Sequence, residues 1–200
     1  MTGIVLAGGR SSRLGRDKLA VELGGRTLLQ RAVEAVFPLV SEVLVVTASG
    51  CHPTLANNAP KVRWVEDARP ERGSLVGIYS GLRAAREFHS LVVAGDMPFL
   101  HQGLLRYVMG LAPGFDAVIP TMGTYFEPLH AVYSKDCLPH MEKLLADGEL
   151  KILDVLPKVK VRYVEQSEID KFDSRHLCFF NVNTEADLVR ARELDAEVRV

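Results

Sequence analysis

A short apolar run near the N-terminus leads directly into a glycine-rich, basic loop. Ile4, Val5 and Leu6 form the run, and the loop continues as Ala7-Gly8-Gly9-Arg10-Ser11-Ser12-Arg13-Leu14-Gly15-Arg16-Asp17-Lys18. Glycines allow backbone N–H groups to approach phosphate oxygens, and arginine and lysine neutralise the phosphate charge. The segment therefore predicts a strand followed by a polyphosphate-binding loop in an α/β protein. A solvated basic turn after an edge strand is the alternative with the same composition.

The spacing of the glycines excludes two common phosphate-binding motifs. Five residues separate Gly9 from Gly15, and Arg16 follows. A Walker A loop has four residues between its glycines and then Gly-Lys-Ser/Thr, so this loop is of another kind. The Gly-x-Gly-x-x-Gly motif of dinucleotide-binding proteins is also absent.

Composition favours a globular protein that acts on a small anionic ligand. The 200 residues are enough for one domain, 1–200, with a full hydrophobic core. A formal net charge of −1 excludes the basic surface of a nucleic-acid-binding protein. We expect no membrane association, since no apolar run reaches the length of a membrane span and no signal peptide is recognisable. The three cysteines are far apart and odd in number, which favours reduced thiols in a cytoplasmic protein over disulfides or a zinc site.

Apolar patterns predict strands that alternate with helices. Strands are expected at residues 3–6, 42–47, 62–65, 91–94, 117–119, 129–133, 160–164 and 179–182. Helical patterns cover residues 28–36, 75–82, 102–109, 138–145, 150–156 and 185–197. This alternation predicts a Rossmann-like, doubly wound and mostly parallel sheet with helices on both faces. Ligands of such sheets bind beyond the carboxyl ends of the strands.

Asp96 follows one of the predicted strands, with Gly95 before it and Pro98 after it. A carboxylate at the end of an apolar strand must be solvated, paired or bound to a metal. An oxygen ligand at this position would hold Mg²⁺ together with substrate phosphates. The residues alone are equally consistent with an aspartate that only caps a turn or helix.

Three glycines recur at four-residue intervals around the predicted helix at 75–82: Gly73, Gly77 and Gly81. On a helix they lie on one face, and each costs about 1 kcal/mol relative to alanine, so close contact with something must compensate. Tight packing on a strand is one interpretation. The other is that the backbone near Gly73 and Ser74 approaches a nucleotide.

Two asparagines near the C-terminus, Asn181 and Asn183, alternate on the predicted strand at 179–182 and its continuation. Alternate residues of a strand point to the same side, which favours contact with a polar ligand. For Asn183, a structural role beside the cap of the last helix is the alternative.

Taken together, these segments resemble the molybdenum cofactor guanylyltransferases, a branch of the nucleotide-diphospho-sugar-type nucleotidyltransferases. The loop fits the pattern Leu-Ala-Gly/Ala-Gly-x-x-x-Arg-Met/Leu-Gly-x-x-Lys. Gly-Ser-Leu-Val-Gly-Ile at 73–78, Gly-Asp-Met-Pro-Phe at 95–99, Glu-Pro-Leu-His-Ala-Val-Tyr at 127–133 and Phe-Asn-Val-Asn-Thr at 180–184 follow in the family's order. The resemblance spans residues 4–188. It implies transfer of GMP from GTP to the terminal phosphate of molybdopterin, release of pyrophosphate, and Mg²⁺ as cofactor.

The resemblance also implies roles for individual residues. Arg13, Lys18 and Asp96 would be catalytic, with Asp96 as the metal ligand. The nucleotide-binding set would be Leu6, Ala7, Gly8, Gly9, Arg13, Lys18, Asp67, Gly73 and Asp96, and the second substrate would meet Lys151, Asn181 and Asn183. The attacking group would be a phosphate that is already charged at neutral pH, so positioning and charge neutralisation suffice without a general base.

The sequence departs from the family pattern at two places and leaves alternatives open. The family's asparagine after the second strand is missing from residues 47–52, and its arginine-rich segment is reduced to Glu149-Leu150-Lys151. A cytidylyltransferase acting on the same cofactor, another small-phosphate nucleotidyltransferase, and a non-catalytic nucleotide-binding regulatory module are the rival interpretations. The expected partners are GTP and a molybdopterin-type substrate, with transient contacts to cofactor-biosynthesis proteins or molybdoenzymes.

Overall fold

The computed structural model describes residues 1–8, 18–51, 55, 60, 62–69 and 73–198, apart from the side chains of Lys18 and Val198. Its strands are β1 (Thr2–Leu6), β2 (Glu22–Leu23), β3 (Arg26–Thr27), β4 (Glu42–Thr47), β5 (Arg63–Glu66), β6 (His89–Ala94), β7 (Ala117–Met122), β8 (Tyr125–Phe126), β9 (His130–Ser134) and β10 (Val161–Val164). Its α-helices are α1 (Leu28–Val36), α2 (Ser74–Ala84), α3 (Gln102–Gly110), α4 (Leu138–Ala146), α5 (Gln166–Ile169) and α6 (Glu185–Val198).

Most of these strands form one sheet in the order β10-β7-β9-β6-β1-β4-β5, and β8 pairs with the end of β7. The pairs β1–β4, β1–β6, β4–β5 and β10–β7 are parallel. Strand β9 runs antiparallel to both neighbours, β6 and β7. The mostly parallel sheet flanked by helices confirms the predicted fold class.

Hydrophobic cores on both faces of the sheet explain why its central strands are apolar throughout. Ile4 and Val92 belong to the core beneath α2 and α4, whereas Val5 and Val93 belong to the core beneath α1 and α3. Strands covered on both faces carry continuous apolar runs because neither face meets water.

Helix α2 packs on β1 through its glycines. A Cβ on Gly81 would lie 2.7 Å from Ile4 Cγ2, and one on Gly77 would lie 3.2 Å from Leu6 Cδ2. A Cβ on Gly81 would force Ile4 to move, and one on Gly77 would require a smaller shift of Leu6, so both glycines permit close packing. The packing interpretation of these two glycines is therefore confirmed, and the approach brings the start of α2 close to the carboxyl end of β1.

A third, smaller core ties the C-terminal segment to the region that follows the basic loop. It contains Val21, Leu23 and Leu28 on one side and Val182 and Leu188 on the other. Among the described residues, no helix is long and apolar enough to cross a membrane.

Two local predictions from the sequence differ from the structure, and one short hairpin was not predicted. The strand expected at 179–182 is instead a 3₁₀ turn, Leu177–Phe179, followed by extended chain outside the sheet. The helix expected at 150–156 is a 3₁₀ helix, Ile152–Lys158, with Pro157 inside it. The β2–β3 hairpin was not predicted, although its two-residue loop, Gly24-Gly25, has the positive φ angles (61° and 80°) that favour such a turn.

Candidate active site

The carboxyl ends of the central parallel strands form the edge of the sheet where the candidate site lies. Backbone hydrogen bonds extend the strand pairing beyond these ends: Ala7 N donates to Val46 O (2.7 Å), Gly95 N to Leu6 O (2.9 Å) and Asp67 N to Thr47 O (2.9 Å). The first residues after β1, β6 and β5 are therefore each fixed to the end of a neighbouring strand. This is the edge at which open α/β sheets bind their ligands.

A cavity of about 360 Å³ opens at this edge. Its lining residues come from six separate parts of the chain: Leu6, Gly8, Leu19, Ser74, Ala94, Asp96, Leu129, Asn181 and Asn183. Five of these nine belong to the site residues predicted from the sequence, and a sixth, Ser74, was named beside Gly73 as a place where the backbone approaches a nucleotide. The apolar members Leu19, Ala94 and Leu129 were missed, because nothing in an apolar residue next to a strand distinguishes a cavity wall from a core.

Asp96 is 7% exposed and lies in the wall of the cavity. A Cβ on Gly95 would lie 3.0 Å from Leu6 O, so the turn that carries Asp96 packs against the end of β1 because residue 95 is glycine. The backbone of Asp96 is also fixed from the other side, since its carbonyl oxygen accepts a hydrogen bond from Val182 N (3.0 Å). The turn thus presents a buried carboxyl group at a defined place in the cavity.

Most of the basic loop, residues 9–17, lies outside the described residues. The predicted site residues Gly9 and Arg13 and the side chain of Lys18 therefore also lie outside them. The residues on either side of the gap are informative, because Gly8 and Leu19 both line the cavity. Ala7 is buried, and Leu6 is both the last residue of β1 and part of the lining. The predicted phosphate-binding loop therefore leaves the cavity at one end and returns to it at the other.

Asp67 lies at the same edge, with its half-buried carboxyl group between β1 and α2. A Cβ on Gly8 would be 3.9 Å from Asp67 Oδ2, and one on Gly77 would be 3.8 Å from Oδ1. Oδ1 is inaccessible to water, and none of the described residues gives it a hydrogen-bond partner. Burial raises the pKa of this carboxyl group from 3.8 to about 6, and the nearby Ser80 hydroxyl limits the rise. A ligand with N–H or O–H donors would relieve the desolvation of Oδ1.

The start of α2 borders the cavity through Ser74, whereas Gly73 serves a packing role. A Cβ on Gly73 would lie 3.0 Å from Leu150 O and 3.2 Å from Leu150 Cβ. Gly73 therefore allows the segment before the 3₁₀ helix Ile152–Lys158 to approach α2. Lys151, the next residue, is exposed and precedes that helix, and it is not among the residues that line the cavity.

Asn181 and Asn183 both line the cavity, but not because they alternate on a strand. Val182 between them is fully buried, and its N–H is the donor to Asp96 O. With the middle residue turned inward, its two neighbours face the cavity. The Asn181 side chain is held by donating Nδ2 to Phe179 O (2.8 Å), and Asn183 N donates to Asp187 Oδ2 (2.9 Å) at the start of α6.

The carboxyl groups at this edge fit a magnesium ion held mainly by substrate. In the described part of the chain, no group of three or more His, Cys, Asp or Glu residues could hold a metal by itself. Mg²⁺ usually binds one or two carboxylates and completes its shell with substrate phosphates and water. The buried carboxyl group of Asp96, facing the cavity beside Gly8, meets that requirement.

Comparison with known proteins gives consistent matches over most of the chain. The family described as MobA-like NTP transferase domain matches residues 3–161. A probable molybdenum cofactor guanylyltransferase of Pelotomaculum thermopropionicum is 37% identical over 194 residues, covering 96% of this chain and 91% of that protein. The molybdenum cofactor guanylyltransferase of Desulfosudis oleivorans is 33% identical over 198 residues, covering 96% of this chain and 94% of that protein.

Solved structures agree with the fold. The molybdopterin-guanine dinucleotide biosynthesis protein A of Archaeoglobus fulgidus superposes with a TM-score of 0.83 at 30% identity, covering 98% of this chain and 100% of that one. The 2-C-methyl-D-erythritol 4-phosphate cytidylyltransferase of Thermus thermophilus has a TM-score of 0.71 at 19% identity, with coverage of 97% and 98%. The second match is a likeness of fold alone.

Proposed function

We propose that this chain, which belongs to the family of MobA-like NTP transferase domains, transfers GMP from GTP to the terminal phosphate of a molybdopterin-type cofactor and releases pyrophosphate. The observation that carries the proposal is the position of Asp96. Its buried carboxyl group lies in one cavity between Gly8, where the basic loop begins, and Asn181 and Asn183. A nucleotidyl transfer needs this arrangement, in which two phosphate-bearing substrates meet at one charge-stabilising centre.

The nucleotide half of the site is assigned to the side of the cavity formed by β1, β4 and α2. Gly8 and Ser74 would face the nucleotide, and the Asp67 carboxylate would accept hydrogen bonds from the nucleoside. Arg13 and Lys18, which the family pattern places in the loop, would neutralise the charge that develops on the leaving pyrophosphate. Positive charge at this point stabilises the transition state more than bound GTP, so it acts on kcat.

The second substrate is assigned to the opposite side, where Asn181 and Asn183 line the cavity. Its terminal phosphate carries about −1.5 to −2 charge at pH 7, so it can attack the α-phosphate of GTP directly. The bond between the α-phosphate and the pyrophosphate then breaks. Lys151 is placed to meet the distal part of this substrate only if the segment that begins at Leu150 moves toward the cavity.

Mg²⁺ is the cofactor that we propose for Asp96, where it would neutralise charge on the phosphates of both substrates. The isosteric change Asp96→Asn retains the shape of the side chain and removes its charge.

We also retain, as predictions from the sequence, a single domain over 1–200, a cytoplasmic location and transient contacts with molybdoenzymes or other cofactor-biosynthesis proteins.

The decisive experiment incubates the protein with molybdopterin, Mg²⁺ and each of the four NTPs in turn and follows pyrophosphate release. We expect release with GTP, little with ATP, CTP or UTP, and almost none from Asp96→Asn with an unchanged melting temperature. Equal rates with CTP and GTP would favour the cytidylyltransferase instead. Wild-type turnover by Asp96→Asn at saturating Mg²⁺ would show that Asp96 is only a turn residue.

A further inference from the structure

The side chain of Arg31 in helix α1 binds three separate segments of the chain. Its Nε donates to Pro98 O (3.1 Å), its Nη1 donates to Leu23 O (3.2 Å), and its Nη2 lies 2.9 Å from Asp195 Oδ1. The guanidinium carbon also lies 5.8 Å from the centroid of the Phe99 ring. Arg31 is not among the residues that line the cavity, and the proposed reaction does not use it.

Two of these segments lead directly to cavity residues that precede them in the chain. Pro98 follows Asp96 by two residues and belongs to the same turn. Leu23 ends β2 and follows Leu19 by four residues, at the place where the basic loop returns to the cavity. The hydrogen bonds of Arg31 therefore join the turn that carries the candidate metal ligand to the end of the candidate phosphate-binding loop.

The third segment is α6, which begins two residues after Asn183. The side chains of Arg31 and of its partner Asp195 are only 19% and 11% exposed, so water screens this ion pair less than it screens one on the surface. A second connection runs through aromatic rings. The Phe99 ring, which contacts the guanidinium group, lies 6.0 Å from the ring of Phe180, the residue before Asn181.

Helix α1, which carries Arg31, is itself held firmly on the sheet. Leu29, Ala32 and Val33 are fully buried in the core beneath α1 and α3. Leu28 belongs to the third core instead, and residues three apart on a helix are neighbours on one face, so Arg31 leaves α1 on the side of that third core. The three segments are therefore attached to an element that is fixed relative to the sheet.

The chemistry of the guanidinium group suits this task. It is planar and always charged, and its N–H donors point in fixed directions, so acceptors bound to it are also fixed relative to one another. Backbone hydrogen bonds already hold the Asp96 turn at Gly95 N and at Asp96 O. Arg31 adds a third bond at Pro98 O, and of these three it is the one that a side-chain substitution can remove.

We propose that Arg31 is a positioning residue of the active site, which fixes the Asp96 turn relative to the β2–β3 hairpin and to helix α6. Arg31 touches neither substrate and acts through Asp96. A misplacement of about 1 Å at a reacting centre can lower a rate roughly 100-fold, so the loss of Arg31 should reduce kcat. This kinetic consequence rests on the proposed function, whereas the fixing of the turn does not.

The variant Arg31→Lys separates positioning from stability. It retains the positive charge and the ion pair with Asp195, but one ammonium group cannot also donate to Pro98 O and Leu23 O from fixed directions. Its melting temperature should stay close to that of wild type. Its kcat for GMP transfer should fall roughly 10–100-fold, with the KM for GTP changed by less than about twofold. Arg31→Gln should show the same loss of kcat together with a lower melting temperature.

Amide hydrogen exchange of the full chain without substrates tests the fixing of the turn directly. Val182 N donates to Asp96 O, so its exchange rate reports how often the turn opens, whereas Ala7 N donates to Val46 O on the nucleotide side. In Arg31→Lys, the Val182 amide should exchange roughly 10–100-fold faster than in wild type, the scale of one hydrogen bond to a charged group. The Ala7 amide should exchange at the wild-type rate.

Two control variants are measured in parallel, below the melting temperature of each protein. Val36→Ala controls for lost stability, since Val36 is fully buried in the same helix but packs beside Gly3 at the opposite edge of the sheet. It should lower the melting temperature without a selective change at Val182. Arg175→Lys makes the same substitution in an exposed ion pair with Glu197 of α6, and it should leave both kcat and exchange unchanged.

A wild-type kcat or a wild-type exchange rate of the Val182 amide in Arg31→Lys would overturn the inference, and so would equal effects in Val36→Ala. In each of these cases, GMP transfer by the wild-type protein would still support the proposed function. If the wild-type protein transfers no GMP but Arg31→Lys selectively accelerates exchange at Val182, the proposed reaction is wrong and the fixing of the Asp96 turn by Arg31 stands.

Discussion

The change Asp67→Asn should stabilise the ligand-free protein at neutral pH. The carboxyl group of Asp67 has a pKa raised by burial to about 6, against 3.8 for an ordinary aspartate. Above pH 6 the folded protein therefore holds a charge that the unfolded chain solvates better. A rise of this size corresponds to about 3 kcal/mol at most, and solvent screening of a half-buried group reduces it to about 1–2 kcal/mol. An amide of the same shape removes this cost.

The sign of the pH dependence follows from proton linkage. Between about pH 4 and pH 6 the folded state binds more protons at Asp67 than the unfolded state does, so its contribution to stability falls as the pH rises. The advantage of Asp67→Asn should therefore be fully present at pH 8, be reduced by roughly half at pH 5, and nearly vanish at pH 4.

Urea denaturation of both proteins at pH 4, 5, 6 and 8 measures the difference. Asp147→Asn is the matched control, because Asp147 is exposed and its removal changes the net charge equally. The same Asp67→Asn variant should bind GTP roughly 10–100-fold more weakly, because the nucleoside loses a charged acceptor. If Asp67→Asn is destabilised at pH 8, or if its advantage does not change with pH, the carboxyl group is not desolvated in the way described.

Two further outcomes are expected from the loop and from helix α2. Arg13→Ala should lower kcat for GMP transfer by roughly 10²–10³ and Arg16→Ala by far less, since only Arg13 occupies a fixed position of the family pattern; equal modest losses in steady-state kinetics would indicate general basicity. Gly81→Ala should lower the free energy of unfolding by about 1–2 kcal/mol, because its Cβ would lie 2.7 Å from Ile4 Cγ2. Gly110→Ala, where a Cβ meets nothing within 4 Å at the end of α3, should raise it by about 0.5 kcal/mol, and a similar loss in both variants would contradict the packing argument.

The parts of the fold that the sequence predicts well are those in which one physical effect dominates. Strand β4 has the expected bounds, 42–47, because a strand buried on both faces must be apolar throughout. The cap of α1 was equally clear, since the Thr27 hydroxyl accepts from Gln30 N at 3.1 Å.

The predicted strand at 179–182 failed because local and distant hydrogen bonds replace a strand ladder. The Asn181 side chain donates to the backbone of Phe179, which favours a turn, and Val182 N is used by the Asp96 carbonyl oxygen. An alternation of polar and apolar residues cannot distinguish such a segment from an edge strand. Both asparagines nevertheless line the cavity, and their contact with a ligand stays a prediction.

The electrostatic properties of the site are the part that no sequence pattern contains. Asp67 is an acid in a loop, and only the approach of Gly8 and Gly77 desolvates it. Glu127 is likewise an ordinary glutamate before a proline in the sequence, and only burial in the folded protein raises its pKa. Such perturbations arise when residues far apart in the chain become neighbours, so they are visible only after folding.

The hydrogen bond from Val182 N to Asp96 O affects the order in which the parts of the candidate active site can form during synthesis. The nucleotide side uses β1, β4, β6 and α2, all of which precede Asp96 in the chain. Residues 181–183 supply the opposite wall of the cavity and the hydrogen bond that fixes the Asp96 turn. Leu188 in α6 packs with Val182 and with Leu23 of the β2–β3 hairpin in the third core. During synthesis, all strands of the central sheet are therefore made before the residues that complete the candidate active site. A chain that ends after β10 would have every strand of the sheet but would lack residues 181–183, which line the cavity and fix the Asp96 turn.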